Sequence, residues 1–270
     1  MVAPEEISFL ISTMHRHSLD FLDAMFPYHD WTTLNLVIVN QSENTNLESG
    51  YPNHLIINSN DYGLSKSRNL ALKHCKTKFA VIADDDVQYF PNCLTTYKEA
   101  IEQYSDFAIL LFKSVYECND ERKKYPIAEC EITLPLKHYK PSSIEFMLNL
   151  SILNTSKLQF NPRFGLGARY KLGEEEVFLI DALKEKFKAI FIPLAVVKHP
   201  RLSSGSKKSN FNYLETQLII HYLNHGTYTY LWLFKYTFYI WRKKLQSEPL
   251  FSLMKRLWVS LKEFRSLEKN

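Results

Sequence analysis

Three consecutive carboxylates, Asp84, Asp85 and Asp86, end an apolar run from Phe79 to Ala83, and Pro91 follows them. Acids this close repel one another and each gains from taking up a proton, so the group is best sustained where a cation supplies opposing charge. Mg²⁺ or Mn²⁺ carrying a pyrophosphate needs only one or two protein acids, because phosphate oxygens fill other positions. The plainer use of such a run is a solvated turn. A second acidic group, Glu174-Glu175-Glu176, follows Gly173 and the earlier pair Gly165 and Gly167. Acids in a first helical turn offset the positive end of the macrodipole by about 0.3–1 kcal/mol each. Behind a loop whose glycines let backbone approach a ligand, they can also take the proton from an attacking hydroxyl.

The elements that must hold these groups are legible as hydrophobic pattern. Ile7 to Thr13 (ISFLIST) and Leu34 to Val39 (LNLVIV) have the character of buried parallel strands, each ending in small polar residues. Ser18 to Met25 has helical spacing, and His54 to Asn58 forms a third short strand. Gly63 then precedes a helix with Ser65 as its N-cap, running to about Lys76 and leading into the strand before the aspartates. Strand, helix, strand, strand, helix, strand is the order of an α/β domain with a mostly parallel sheet, where ligands lie beyond the carboxyl ends of the strands. Ser12, Thr13, Asn40, Gln41 and Asp84 to Asp86 are therefore expected at one edge. No G-x-G-x-x-G follows the first strand and no G-x-x-x-x-G-K-[ST] occurs, which argues against a dinucleotide-binding Rossmann enzyme and a P-loop enzyme.

Further along, Leu94 to Tyr104 has the pattern of a helix and Phe107 to Phe112 that of a strand. Glu117 to Lys140 is charged and punctuated by proline, an acceptor-side excursion with one hairpin or a mobile surface loop. Ser142 to Phe146 and Leu150 to Ile152 are expected as strands. Val177, Phe178, Leu179, Leu183 and Phe187 give the buried stripe of a helix behind the glutamates. A last strand, Ala189 to Pro193, leads on to His199, and Ser203 to Ser209 form a basic loop suited to closing over a diphosphate.

The 270 residues, 46% of them hydrophobic, suffice for a large core. The four cysteines show no CxxC pair, and Pro4, Glu5 and Glu6 stand where a secretory signal would need apolar residues, so reduced thiols and a cytoplasmic location are expected. Net charge is +4, but Lys235 to Asn270 holds nine Lys or Arg against three Glu. The positive charge belongs to the tail, which argues against a nucleic-acid-binding body.

GLSKSRN, FAVIADDDV, the initial ISFLIST and the later FNPRFGLGARYKLGEEEVFL together resemble the GT-A glycosyltransferases of family 2, especially bacterial enzymes of capsule or lipopolysaccharide synthesis. The resemblance runs from about Ile7 to Arg201. It implies a nucleotide-sugar donor of the UDP-sugar kind, a divalent metal at the acids, and inversion at the anomeric carbon. Asp84 to Asp86 take the DxD position, with Asp84 and Asp86 toward metal and Asp84 and Asp85 toward the nucleotide; which two of the three are used stays open. Arg68 and Asn69 stand where the family places the helix beside the nucleotide. The family's Glu-Asp pair falls on Glu174 and Glu175, and its second member, here Glu175, is the base, with Glu174 the alternative. His199 matches a histidine that lies by metal or phosphates in relatives. Where many relatives carry an aspartate after the second strand, this chain reads Val39-Asn40-Gln41-Ser42.

The expected organisation is a GT-A-like, mostly parallel α/β domain over residues 1–210 and a helical appendage over 211–270. Tyr228 to Trp241 is aromatic but contains Lys235 and is too short to span a bilayer, while the basic residues after it suit an anionic membrane surface. A glycan or lipid-linked acceptor would make that location useful; packing on the catalytic domain or a dimer contact is the other use of such helices. Two rival functions are a sugar nucleotidyltransferase, for which Ser12 to Arg16 lacks the glycine-rich loop, and a non-catalytic carbohydrate or nucleotide binder, which has little use for a second acid cluster.

Overall fold

Alternating residues along the first and fourth strands are buried on opposite faces, so each strand is covered on both sides. The computed structural model describes residues 6–137, 139–201, 211–245 and 247–267. Its elements are β1 (Ile7–Met14), α1 (Phe21–Met25), β2 (Asn35–Gln41), β3 (His54–Ser59), α2 (Leu64–His74), β4 (Phe79–Asp84), β5 (Gln88–Tyr89), α3 (Cys93–Gln103), β6 (Ile109–Tyr116), β7 (Cys130–Ile132), β8 (Phe146–Asn149), α4 (Leu150–Leu153), α5 (Glu174–Lys184), β9 (Ala189–His199), α6 (Phe211–His225), α7 (Thr229–Arg242) and α8 (Leu250–Leu267).

Among the described residues the strands form one sheet in the order β3-β2-β1-β4-β8-β6-β9-β5, with β7 also on β9. β3, β2, β1, β4, β6 and β9 run one way; β8, β5 and β7 run against them. The sheet is thus mostly parallel, as a sequence alternating strands with helices requires. On one face Phe9, Ile11, Val81 and Ala83 pack with Phe26, Tyr89 and Tyr97. On the other, Leu10, Ala80 and Ile82 pack with Ala71 of α2 and Phe178, Leu179 and Ala182 of α5.

α5 carries a second stripe. Val177 and Ile180 join Phe164 and Tyr170 in a separate core with Leu214 and Leu218 of α6, Leu233 and Ile240 of α7, and Leu257 and Phe264 of α8. The C-terminal helices are therefore packed on the α/β body through α5 and the 164–170 loop.

Several local expectations are corrected. Gly63, at φ 132°, caps α2; Ser65 lies inside its first turn, where the hydroxyl donates to the Phe164 carbonyl at 2.7 Å. Ser143–Glu145 is a 3₁₀ turn rather than a strand, opened by a capping box in which the Ser142 N–H donates to Glu145 Oε2 at 3.0 Å. The strand begins only at Phe146 and lies inside the sheet between β4 and β6, and Leu150 to Ile152 belongs to α4. The strand expected to end at Pro193 continues to His199, with its register against β6 shifting between Phe191 and Val197. The expected loop over Ser203 to Ser209 lies outside the described residues.

The 117–140 excursion is tied down by a buried carboxylate. Glu145 accepts from Ser114 Oγ at 2.7 Å, Tyr125 OH at 2.6 Å, Tyr139 OH at 2.6 Å and Lys123 Nζ at 2.7 Å. The Lys123 ammonium lies over the rings of Tyr125 and Tyr139. A fully solvated loop would not order so many polar groups about one buried acid; here each donor satisfies the charge that the others help to bury.

Candidate active site

The carboxyl ends of β1, β2 and β4 meet as their registers dictate. Ser12 stands beside Asp84, and Thr13 beside Asn40. The aspartate turn is then carried sideways: β5 follows it directly and pairs antiparallel with the end of β9, Gln88 against Lys198. Tyr89 of β5 is anchored by stacking on Phe26 at 5.0 Å and by an edge contact with Phe9. This brings His199 Nε2 within 3.7 Å of Asp86 Oδ1. A cleft of about 780 Å³ results, whose lining includes Thr13, Arg16, Tyr62, Gly167, the three aspartates and His199.

Each aspartate has a different partner. Asp84 accepts from Arg68 Nη2 at 2.9 Å. Asp85 accepts from the Thr13 hydroxyl at 2.5 Å and from Arg16 Nε at 2.9 Å. Asp86 has neither arginine: burial, and the charges of Asp84 and Asp85, raise its pKa against the lowering influence of His199. A carboxyl held above its ordinary range beside a histidine is the group of the three that gains most from a cation.

Arg68 reaches both acid clusters. It is buried in α2, and its Nη1 donates to Glu174 Oε1 at 2.7 Å while Nη2 holds Asp84. Burial opposes the guanidinium charge, but Asp84 and Glu174 outweigh it and leave the arginine more firmly protonated than usual. Glu174 is next to Gly165, where an added Cβ would meet its carboxyl at 3.3 Å. Gly167, at φ 82°, approaches Gly63 so closely that an added Cβ would come within 3.0 Å of its Cα, and Leu64 N–H donates to Leu166 O at 2.9 Å. The double-glycine loop is thereby laid on the start of α2.

Glu175 is in a different condition. Its Oε2 is shut from solvent and has no hydrogen-bond partner. Burial and the adjacent Glu174 charge raise its pKa well above the ordinary glutamate value of 4.5. Glu174, pinned by Arg68, is committed to an ion pair; Glu175 is a carboxyl with a high proton affinity and an unused oxygen. Its charge also acts on Lys123 and Tyr139, so the acids form a continuous series from Asp84 through Arg68, Glu174 and Glu175 toward the Glu145 hub.

Two expected site residues have their side chains engaged in the scaffold. Asn40 is fully buried, donating to Arg16 O at 3.1 Å and accepting from Arg16 N at 3.1 Å, so it shapes the segment after β1. Asn69 exchanges hydrogen bonds with the backbone of Phe160 at 2.7 and 2.8 Å, fastening α2 to the 160s loop. Arg16 and Tyr62 were not anticipated from the sequence. Arg16 had a signal, as a cation three residues past the Thr13 strand end; Tyr62 had none, because only folding of the segment after β3 brings it to the cleft.

The family model for glycosyl transferase family 2 matches residues 6–162, more than half of the chain. The chain belongs to that family. The match covers the aspartate turn and Arg68 but stops before Glu174, Glu175, His199 and the C-terminal helices. No curated protein matches the sequence. Among solved structures, S. aureus TarS residues 1–349 superimposes with a TM-score of 0.56 at 14% identity, over 81% of this chain and 65% of that one. The same fragment of TarS with UDP gives 0.55 at 14%, covering 82% and 66%, and with UDP-GlcNAc 0.54 at 17%, covering 81% and 66%. The chain therefore spans just under two thirds of those fragments. At these identities the likeness establishes the GT-A fold. The family match sets the nucleotidyltransferase reading aside.

Proposed function

We propose that the enzyme transfers a sugar from a nucleotide-sugar donor of the UDP-sugar class to a hydroxyl of a glycan or lipid-linked acceptor in surface polysaccharide synthesis, with inversion and with Mn²⁺ or Mg²⁺. The observation that carries this reading is the Arg68 bridge, which fixes the carboxylate cleft and the α5 glutamates in one rigid frame. The complexes of TarS with UDP and UDP-GlcNAc support the donor class. In the reaction, the acceptor oxygen bonds to the anomeric carbon as the bond from that carbon to the diphosphate breaks. The bonding pair leaves with the nucleoside diphosphate, and the hydroxyl proton passes to the Glu175 carboxylate.

Among the described residues no three His, Cys, Asp or Glu are grouped as a metal cage. The donor set does fit a cation shared with substrate: Asp86 and His199 offer one carboxylate and one imidazole, and diphosphate oxygens would complete the shell, a mixture better suited to Mn²⁺ than to Mg²⁺. Bound there, the metal would supply positive charge to the departing diphosphate. Arg16 adds a fixed cation on the same wall, while Thr13 and Arg16 hold Asp85 in place.

The test is nucleotide-sugar binding and hydrolysis by purified protein across a donor panel, with and without Mn²⁺. The expectation is that one donor binds only with metal, that Asp86→Ala abolishes this binding, and that Glu175→Gln binds without turnover. Binding that ignores both metal and the two substitutions would overturn the reading in favour of a non-catalytic binder.

A lipid-linked acceptor would place the enzyme at the inner face of the cell membrane. α7 buries Leu233, Thr237 and Ile240 against the protein and turns Leu231, Phe234, Phe238 and Trp241 outward, at 69%, 53%, 50% and 47% exposure. Lys235 and Arg242 to Lys244 accompany that stripe. Among the described residues no helix is long and apolar enough to cross a bilayer. The reading is therefore an interfacial helix on anionic lipid.

A further inference from the structure

In the run Glu121-Arg122-Lys123-Lys124, Lys124 is exposed and Lys123 turns inward onto the buried Glu145. Its ammonium donates to Glu145 Oε2 at 2.7 Å, lies 5.2 Å and 5.1 Å from the ring centres of Tyr125 and Tyr139, and also donates to the Lys140 carbonyl. Glu145 has three hydroxyl donors and a backbone N–H besides. Taking an ammonium out of water costs free energy, and a buried ion pair gains little over apolar packing of the same volume. Fastening the excursion therefore does not by itself account for the Lys123 charge.

The hub is packed against α5. Phe146, the residue after Glu145, meets Phe178 edge to face at 6.1 Å. Phe178 stands three positions after Glu175, so the two share a face of the helix. A second tie comes from the excursion: Lys140, whose carbonyl Lys123 holds, has its own ammonium 3.4 Å from Glu176 Oε2. The three acids of the first α5 turn are thus served unequally. Glu174 has Arg68, Glu176 has the exposed Lys140, and among the described residues no ion pair reaches Glu175.

The groups around Glu175 can be taken element by element. Arg68 approaches from α2, Glu174 and Glu176 lie on its own turn, and Lys123, Lys140, Tyr139 and Glu145 come from the excursion and the start of β8. α6 brings His221 and His225 to the cavity beside Glu176. Burial, with His225 nearby, pushes His221 down to about 4, which leaves that ring uncharged at ordinary pH. Burial also raises the Tyr139 phenol well above its usual range, so it stays neutral. For Lys123, burial lowers the pKa, while the charges of Glu145 and Glu175 work against that lowering. The interaction is reciprocal, so the Lys123 ammonium favours the ionised form of Glu175.

We propose that Lys123 is a positioning residue for Glu175: fixed on Glu145 and packed beside the head of α5, its ammonium steadies the Glu175 carboxylate without pairing with it. That this serves proton transfer rests on the reading of Glu175 as the base. That the two groups are coupled does not.

The experiment compares wild type with two neutral variants, Lys123→Met and Lys123→Gln, and with Lys123→Arg, which keeps the charge. The readouts are the pH dependence of kcat, and melting curves of each protein with and without Glu175→Gln between about pH 4 and pH 10. Without the cation Glu175 ionises less readily. The rising limb of kcat should therefore move to higher pH by about half a unit or more in both neutral variants and stay in place in Lys123→Arg. The folded-state pKa of Glu175 lies above the unfolded one, so stability is lost as pH rises from the unfolded value to the folded one. The gain in melting temperature from Glu175→Gln should accordingly go on growing to a higher pH in the neutral variants than in the wild type. A loss of kcat shared by all three variants with the limb unmoved would make the hub a scaffold and overturn the proposal. Transfer activity with both readouts unmoved keeps the transferase reading and sinks the coupling. A moved levelling-off pH in a protein that transfers no sugar keeps the coupling and sinks the role of Glu175 as base.

Discussion

Arg68 and Glu174, 106 positions apart in the chain, meet at 2.7 Å in the interior. Since the same guanidinium holds Asp84 at 2.9 Å, one side chain sets the spacing between the acids of the aspartate cleft and those at the head of α5. Replacing it with alanine leaves Glu174 buried without its counter-charge, at a cost of about 3–5 kcal/mol. Arg68→Lys keeps the charge but has no fork to hold two carboxylates. We expect it to fold with lower stability and to lose activity on the order of 10²-fold through misplacement of the acids. Urea unfolding together with transfer rates checks this; wild-type activity in Arg68→Lys would show that the bridge is not needed for positioning.

The raised pKa of Glu175 has consequences of known sign. In its proposed role as base it works only when ionised, so kcat should rise with pH through a value above the ordinary 4.5, and that limb should vanish in Glu175→Gln. Stability moves the opposite way. The folded-state pKa lies above the unfolded one, so the folded protein holds the proton more tightly and loses stability as pH rises between the two values. Glu175→Gln should therefore gain melting temperature relative to wild type at pH 8 and gain less at pH 4. An equal change at both pH values would mean that Glu175 is not held protonated by the fold.

Gly173 is required twice over. Its φ is 82°, and an added Cβ would lie 2.3 Å from Ile220 Cδ1 of α6. Gly173→Ala should cost about 1–2 kcal/mol for the left-handed backbone and about 1–3 kcal/mol more for overpacking. Ile220→Val removes the clashing methyl. In a double-mutant cycle it should recover the packing part of the loss and none of the backbone part. Strict additivity would show that α6 does not press on this turn.

For α7, vesicles containing phosphatidylglycerol should sediment with the enzyme and neutral phosphatidylcholine vesicles much less, with binding weakened by salt. Exchanging Phe234, Phe238 and Trp241 for serine should abolish sedimentation while leaving the melting temperature nearly unchanged, because these side chains are exposed. If the exchange leaves vesicle binding intact, or instead splits a dimer seen by light scattering, the stripe serves another purpose.

Much of this fold is decided by short-range pattern. Apolar runs ending in polar residues specify β1, β2 and β4, because a strand buried on both faces needs mostly apolar side chains, with its few buried polar ones, such as Ser8, hydrogen-bonded. Those runs, with the aspartates at their end, put Ser12, Thr13, Gln41 and Asp84 to Asp86 at one edge, and the structure lines one cleft with them. The first turn of α5 was equally visible, as acids after a glycine. Short range also misled. Ser142 to Glu145 was read as strand although S-x-x-E is a capping signature, and the value of Glu145 depends on Ser114, Lys123, Tyr125 and Tyr139 converging on it.

What the tertiary structure alone decided is how the acids are shared out. Nothing local says that Arg68 would choose Asp84 and Glu174, that Arg16 would take Asp85, or that β5 would turn the aspartate loop toward His199. These pairings join residues far apart in sequence, and their strength comes from burial, which no residue possesses before the chain has packed around it. The sequence by itself determined which charges are present and at which strand and helix ends they stand. Packing determined which of these acids pair with an arginine, Asp84, Asp85 and Glu174, and which, Asp86 and Glu175, do not.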